Sequence, residues 1–532
     1  MAHNIEIESK ALTSQADITA TKVGKESSPA CPEARLLRWL PRAVLCALAV
    51  ILCAFFWLPM HRISADVEIN YNEGWNSYKQ AMVKNGTPLY GLPPGTLTGA
   101  TTYPPVWFHL VSSLGNRGTL KNAGRWISLI SWIGTGIFIF LIVTKLGASI
   151  EVALFSLLLY LVGIPLLAPG YVGMNDPQLF GEALTTAGLY FYIKNPENMR
   201  MLALSALAFC FAGFAKQTLL AFPMAVALDL ILRSRKLFAV WAGSMLAFAA
   251  AFTVLSILVD GKYFLAHLTL HRAYSLRYAW HHNVHLYLVM VEAVLLVAIG
   301  WLICASRPRR TFAILFVVSQ VMGFFLAGGD GVGLNICFNA FAAAVIICGV
   351  ALADAGAVTS ELGAAIPRVQ LLPATLMSLI LLGVMINVPG RLRESMDALR
   401  ALPSQKTEFA SALQFLRSQP GPALCESPLL CYEAGKSFEF DSFSVNDGLK
   451  TGRVTEDHLV ELLRSHYFLT LQIKVDPGEA SQSEEELAQG RSRPSLPLPF
   501  EVNVFTGGLM KELVENYRVA YRNSWTVIFV PR

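Results

Sequence analysis

A chain of 532 residues that is 54% hydrophobic and 15% charged is excluded from being a single soluble globule, because soluble domains carry roughly a quarter charged residues. The charges are also unevenly spread: residues 43–389 hold 33 of them and residues 390–532 hold 35, which reads as a membrane domain followed by a soluble one. The net charge of +5 is spread over the chain, negative in the soluble tail, and does not suggest a nucleic-acid partner.

Residues 1–42 are polar, the wrong layout for a cleavable signal peptide, so the first apolar run is expected to stay as an anchor behind a cytoplasmic tail. A helix needs about 20 mostly apolar residues to cross a bilayer. Runs of that order lie at 43–59, 126–144, 150–168, 178–193, 201–215, 217–232, 237–258, 285–304, 311–327, 337–353 and 371–388. With the N-terminus inside, the even-numbered runs end beside Lys145, Lys194 with Arg200, Arg233 to Lys236, Arg307 to Arg310, and Arg368, as the positive-inside rule requires. The segment YPPVWFHLVSSL (103–114) is too short to span, and crossing there would turn every basic loop outward, so it is expected to be an interfacial or re-entrant helix. The fold class expected is an all-α polytopic membrane domain of about 11 transmembrane helices at 43–389, with a long first outer loop at 60–125, and a soluble C-terminal α+β domain at 390–532.

In the first outer loop, Asp66, Glu68 and Glu73 stand just beyond the first span, where a carboxylate is costly unless paired, hydrated or used. The spacing of Trp75, Tyr78, Met82 and Val83 predicts a short amphipathic helix on the membrane surface with Glu73 in its first turn. In APGYVGMNDPQLFGEAL, Asp176 precedes Pro177, so capping of the next helix and a role in a site are both open. Glu182 would lie within the membrane, where an ionisable side chain is by default a functional candidate. Lys216, in the turn FAKQTLL, and Lys262, His267, His271, Arg272, Arg277, His281 and His282, in the loop before the eighth run, oppose the positive-inside bias. Cations among aromatics at headgroup depth suit a phosphate at the membrane surface, and snorkelling is the alternative. Adjacent His281 and His282 lack the spacing of a zinc site.

Six cysteines, Cys46, Cys53, Cys210, Cys304, Cys337 and Cys348, fall in apolar runs and read as packing residues. Cys425 and Cys431, in CESPLLC, are placed to pair in an oxidising compartment. The tail opens with a helical pattern at 391–419. SFEFDSF, YFLTLQIKV and SWTVIFV follow as expected strands, with a polar, Pro-rich loop at 476–499.

NEGWNSYKQAMVKNG with PLYG, the TYPPVWFHL segment, GRWISLISWIGTGIFIFLIVTKLG, the outer Asp176, the FAKQTLL turn and a soluble tail together resemble the integral-membrane glycosyltransferases of the GT-C fold. The aminoarabinose transferase and protein mannosyltransferase types are the nearest in layout. The resemblance implies a polyprenyl-phosphate-linked sugar donor, a lipid or glycan acceptor, and a site on the outer face of a bacterial inner membrane. It matches Glu73 to the catalytic carboxylate, with Asn72 where the class carries Asp, so that Asp66 and Glu68 are candidate substitutes and Asp66 a candidate helper. It places Lys216 near the lipid phosphate and Asp176 at the second acidic position. Arg272, Arg277, Tyr103, His281 and His282 complete the expected substrate-binding set. No cofactor is required, and a divalent cation at Asp176 is left open. Transfer by inversion needs a base for the acceptor hydroxyl and cations for the departing phosphate. The alternative is a polytopic transporter or lipid flippase, although no internal repeat is evident.

Overall fold

The computed structural model describes residues 32–532 except 96, 117, 305–309, 363–370, 477, 492–503 and 506. Most of the expected cytoplasmic tail, together with Arg307, Arg309 and Arg368, lies outside the described residues.

Each of the eleven apolar runs carries a helix, the sixth only from Ala221 onward because 217–220 forms a turn. The first lies in α1 (Pro32–Arg62). The first outer loop folds as α2 (Tyr71–Lys84) and α3 (Val106–Leu114). Then come α4 (Leu120–Lys145), α5 (Ile150–Leu167), α6 (Gln178–Lys194), α7 (Met199–Ala215), α8 (Ala221–Arg233) and α9 (Arg235–Asp260). Two short turns, α10 (Phe264–Leu268) and α11 (Leu276–Tyr278), lead through a π-helical stretch at Ala279–Val284. The membrane domain closes with α12 (His285–Cys304), α13 (Arg310–Leu326), α14 (Phe338–Leu362) and α15 (Leu372–Ser418). Among the described residues, seven helices are long and apolar enough to cross a bilayer, and α7 and α13 are apolar but shorter.

Two helices mark the inside and outside of the bundle. The apolar window of α14 is 94% buried, whereas that of α9, equally free of charge, is 6% buried. An apolar helix that faces outward all round needs lipid rather than water against it. The last span does not end where the tail begins: α15 runs 47 residues, about 70 Å at 1.5 Å per residue, and carries the chain from the membrane into the C-terminal domain as one rod.

That domain contains β1 (Ala423–Cys425), α16 (Pro428–Glu433), α17 (Ser442–Thr451), α18 (Glu456–Arg464), β2 (Thr470–Lys474), α19 (Glu484–Arg491), α20 (Gly507–Asn516), β3 (Tyr517–Arg522) and β4 (Thr526–Pro531). The sheet order is β1-β2-β4-β3, with β1 parallel to β2 and the other pairs antiparallel. Two of the three expected strands form, as β2 and β4. The third, SFEFDSF, does not, because Asp441 at its centre caps α17 by accepting from the Ser444 amide at 3.1 Å. The expected 476–499 loop includes α19, and its part at 492–499 lies outside the described residues. Cys425 and Cys431 form a disulfide. Of the apolar-run cysteines, Cys210, Cys337 and Cys348 are buried in packing positions, while Cys46 and Cys53 are exposed on the outside of the bundle.

Candidate active site

The first outer loop is not spread over a surface. Helix α2 is buried from Tyr71 through Ala81 on nearly every side, sandwiched between the membrane bundle and the C-terminal domain. Two glycines permit the close approach. A Cβ on Gly74 would sit 2.0 Å from the Leu429 backbone nitrogen of α16, and one on Gly124 of α4 would sit 1.9 Å from the Asn175 side-chain oxygen. The expected amphipathic surface helix is thus corrected to an interdomain helix, because the C-terminal domain covers the face that would have met water.

Glu73 lies in the first turn of α2 as expected, wholly buried, and its carboxylate is fully engaged. Arg125 of α4 grips it in a two-pronged contact, Nε to Oε1 and Nη2 to Oε2, both at 2.7 Å. The backbone amides of Asn175 and Ile69 donate to the same oxygens at 3.1 and 2.8 Å. Burial pushes the Glu73 carboxyl up, but Arg125's charge and hydrogen bonds with the two amides outweigh it and hold the pKa below the ordinary carboxylate value. The remaining guanidinium donors go to the carbonyls of Arg62, Ala65 and Val67 at 2.9, 2.7 and 2.7 Å, so all five N–H groups of Arg125 are used. This is a clamp that ties α1, α2 and α4 together. Its carboxylate keeps no free lone pair for an incoming proton. Sequence reasoning missed Arg125, although an arginine at the outer end of a span, against the positive-inside bias, signals a buried partner.

A second ion pair lies beside the first. Asp176 Oδ1 accepts from Lys216 Nζ at 3.2 Å and from the Gln178 amide at 2.8 Å, while among the described residues Oδ2 accepts only from the Asn72 side-chain amide at 3.3 Å. Asp176 thus accepts from the first amide of α6 and pairs with the lysine at once. Lys216, in the turn after α7, also lies 4.9 Å from the centre of the Tyr103 ring. With its amide oxygen turned toward the lysine, Asn335 accepts from Nζ at 3.1 Å and donates to the Gly333 carbonyl and the Tyr171 hydroxyl at 3.0 Å each. Burial draws the Lys216 ammonium toward neutrality, but Asp176 and Tyr103 more than offset this and keep its pKa above the ordinary lysine value. The Tyr103 hydroxyl is pushed up, by burial first, with the neighbouring Lys216 opposing.

No family model and no curated protein matches the sequence. In structure, the chain matches ArnT from Cupriavidus metallidurans in the apo state with a TM-score of 0.54 at 13% identity, over 92% of this chain and 97% of that one. Against the same protein bound to undecaprenyl phosphate the TM-score is 0.52 at 15% identity, over 90% and 96% of the two chains. The fold is GT-C.

On this GT-C scaffold the other expected residues separate. Arg272 is half-buried, 5.4 Å from the centre of the Phe443 ring, and its charge reaches Tyr103, so it borders the Asp176–Lys216 pair. Arg277 and His281 are exposed, and His282 packs on the Tyr278 ring at 4.9 Å. None of these three makes a contact with Asp176, Lys216 or Tyr103. Asp66 is 80% exposed and bonds Lys121 of α4 at 2.9 Å, and Glu68 bonds Ser427 and Lys474 of the C-terminal domain at 2.8 and 2.7 Å. His267 pins the loop before Tyr103, with Nδ1 accepting from the Thr101 amide and Nε2 donating to the Leu92 carbonyl, each at 2.8 Å. Deeper in α6, Glu182 bonds Asn339 at 2.6 Å, and its other oxygen has no partner among the described residues. As built, Asp176 does not fit a divalent cation: an ammonium and two amides surround it, and among the described residues no three His, Cys, Asp or Glu side chains gather anywhere as a metal-binding group.

Proposed function

We propose that the chain is a multi-pass membrane glycosyltransferase that moves a sugar from a polyprenyl-phosphate carrier to an acceptor hydroxyl, at the outer face of a bacterial inner membrane with its C-terminal domain in the periplasm. The observation that carries this reading is the buried Asp176–Lys216 pair, ringed by Tyr103, Asn72 and Asn335 beneath the first outer loop of a GT-C fold. ArnT, which shares the fold, has been solved with undecaprenyl phosphate bound.

In this reading Asp176 is the base and Glu73 is not. Asp176 Oδ2 faces a single weak donor, so it keeps lone pairs for the acceptor proton, whereas Glu73 is saturated. Lys216 leaves Asp176 for the carrier phosphate, and Arg272 adds a second positive charge at the half-buried edge. The acceptor O–H proton passes to Asp176, the oxygen lone pair forms the new bond to the anomeric carbon, and the carbon–oxygen bond to phosphate breaks. The departing electron pair stays on the polyprenyl phosphate, where Lys216 and Arg272 neutralise it. The product has inverted stereochemistry, since a single displacement inverts.

The test is incubation of purified full-length protein with a panel of polyprenyl-phosphate sugars and candidate acceptors. Turnover that Asp176→Asn abolishes without loss of folded protein is expected. Turnover indifferent to that substitution removes the assignment of the base, and failure to bind any donor returns the chain to the transporter reading.

A further inference from the structure

Lys79 stands on α2, one turn beyond Trp75, and no part of the chemistry above uses it. Its side chain is 5% exposed. The ammonium lies 5.6 Å from the centre of the Trp75 ring and 4.9 Å from that of Phe438, so one aromatic wall comes from α2 and the other from the C-terminal segment between α16 and α17. No oxygen accepts a hydrogen bond from it among the described residues. The charged group nearest in effect is Asp441, whose carboxylate is already taken by the Tyr71 hydroxyl, the Trp75 indole N–H at 3.1 Å, and the Ser444 amide and hydroxyl at 3.1 and 2.8 Å. Among the described residues its three N–H donors thus face two rings and no protein oxygen. Ring faces attract a cation but leave its hydrogen bonds unmade, so an oxyanion reaching this ammonium gains donors that no protein group competes for. What this position lacks is an oxygen.

We propose that Lys79 anchors a second, anion-binding subsite in the seam between α2 and the C-terminal domain, which takes a singly charged oxyanion, a carboxylate or a phosphodiester. A single charge follows from the balance at the site: one ammonium, with the Asp441 carboxylate nearby to repel a dianion. The subsite adjoins the Asp176–Lys216 pair through aromatic contact, since Trp75 packs edge-on to Tyr103 at 5.4 Å and Lys216 lies over Tyr103. Resting on the proposed transfer, its occupant is an acidic group of the acceptor, held one ring pair away from the carrier phosphate.

Burial lowers the Lys79 pKa to about 8, with Asp441 opposing, and the charge of Lys79 in turn contributes, after burial, to the lowered pKa of His267. An amine of this kind is a good nucleophile at pH 9, so occupancy can be read by protection. The full-length protein in detergent, with no sugar donor present, is methylated with formaldehyde and a borane at that pH. Modification of Lys79 is then followed by peptide mass spectrometry in chloride, acetate or dimethyl phosphate at equal ionic strength. Lys79 is expected to react in chloride and to be protected several-fold by acetate, by dimethyl phosphate or by both, and the arm that protects names the anion. Protection by neither overturns the proposal, as does a Lys79 unreactive in all three salts, which is a closed structural lysine. The same salts are expected to raise the unfolding midpoint of the wild type and of Lys216→Met but not of Lys79→Met, with Lys79→Arg restoring the effect. A response lost in Lys216→Met and kept in Lys79→Met also overturns it. Because no donor enters these measurements, their failure is distinct from failure of the transferase reading.

Discussion

Two buried carboxylate–cation pairs lie side by side at the end of the bundle that meets the C-terminal domain, and they are built to opposite plans. Glu73 receives four hydrogen bonds, and Arg125 spends five donors on it and on three backbone carbonyls. Asp176 receives two on one oxygen, from Lys216 and the Gln178 amide, and one long bond on the other, from Asn72, and its lysine also meets the oxygens of Asn335 and Tyr103. Arginine presents a rigid fork that can be saturated, whereas lysine presents a mobile point charge that can change partners. In the proposed reading the first pair is therefore structure and the second chemistry, although both are hidden from water.

The hardest test of that contrast is Arg125→Met. It leaves Glu73 ionised in a dry site with only two amides, and loss of one partner of a buried pair costs about 3–5 kcal/mol. Little folded protein is expected in a detergent-resistance or thermal unfolding assay. Glu73→Gln together with Arg125→Met should recover part of the loss by removing the stranded charge. If Arg125→Met instead folds normally and only turnover falls, the clamp is part of the chemistry and the contrast fails.

Asp176→Asn comes next. The substitution keeps the shape and the helix-opening contact to the Gln178 amide but removes the base, so turnover should fall about 100-fold to 10,000-fold, the usual worth of a positioned base. The unfolding midpoint should move far less than for Arg125→Met. Equal losses of stability in the two variants would make the second pair structural as well.

What the sequence disclosed, and what it hid, follows the same division. Apolar runs and basic loops carry the bundle openly, because a helix in lipid must be apolar for about 20 residues; hence each of the eleven runs carries a helix, though the sixth opens with a turn. Glu73, Asp176 and Lys216 were also legible as scarce charges at the outer face, and they do converge. Their roles were not. The proposed division into base and clamp rests on Arg125, which sits in the first turns of α4 just before the apolar run begins, and on amides such as Asn335 that carry no charge to draw attention. Asp441 was hidden inside an alternating FEFDSF pattern that reads as a strand until the capping contact to Ser444 is seen. The burial of α2 was illegible for a different reason: half of what covers it comes from more than 300 residues away, through Leu429, Phe438 and Asp441, and no local periodicity records such a partner.

That cover provides a third way to sharpen the contrast. The Cys425–Cys431 disulfide closes the short loop that carries Ser427 and Leu429, which bond Glu68 at 2.8 and 3.1 Å, and Leu429 also abuts Gly74. Closing so small a loop is worth about 2 kcal/mol by the chain-entropy estimate. Reduction, or Cys425→Ser with Cys431→Ser, should lower stability by roughly that amount and loosen α2 where it faces the C-terminal domain. Hydrogen exchange should rise in α2 and α16 while α4 around Arg125 stays protected, because the clamp grips α2 from the membrane side.

The smallest effect is expected at Asp66, and it is the one that separates proximity in sequence from participation. Asp66 lies seven residues before Glu73, yet its carboxylate is 80% exposed and its partner Lys121 has Glu433 at 3.7 Å as a second acid. Exposed pairs contribute about 0–1 kcal/mol, and here the buried Lys121 keeps an acceptor when Asp66 is neutralised. Asp66→Asn should therefore shift the unfolding midpoint slightly and leave kcat with a lipid-linked donor within about two-fold of wild type, a change of roughly 0.4 kcal/mol in barrier. A loss approaching that of Asp176→Asn would mean that the first outer loop rearranges on binding donor, bringing Asp66 inward to share the proton transfer, and the division between the two pairs would then describe only the unliganded protein.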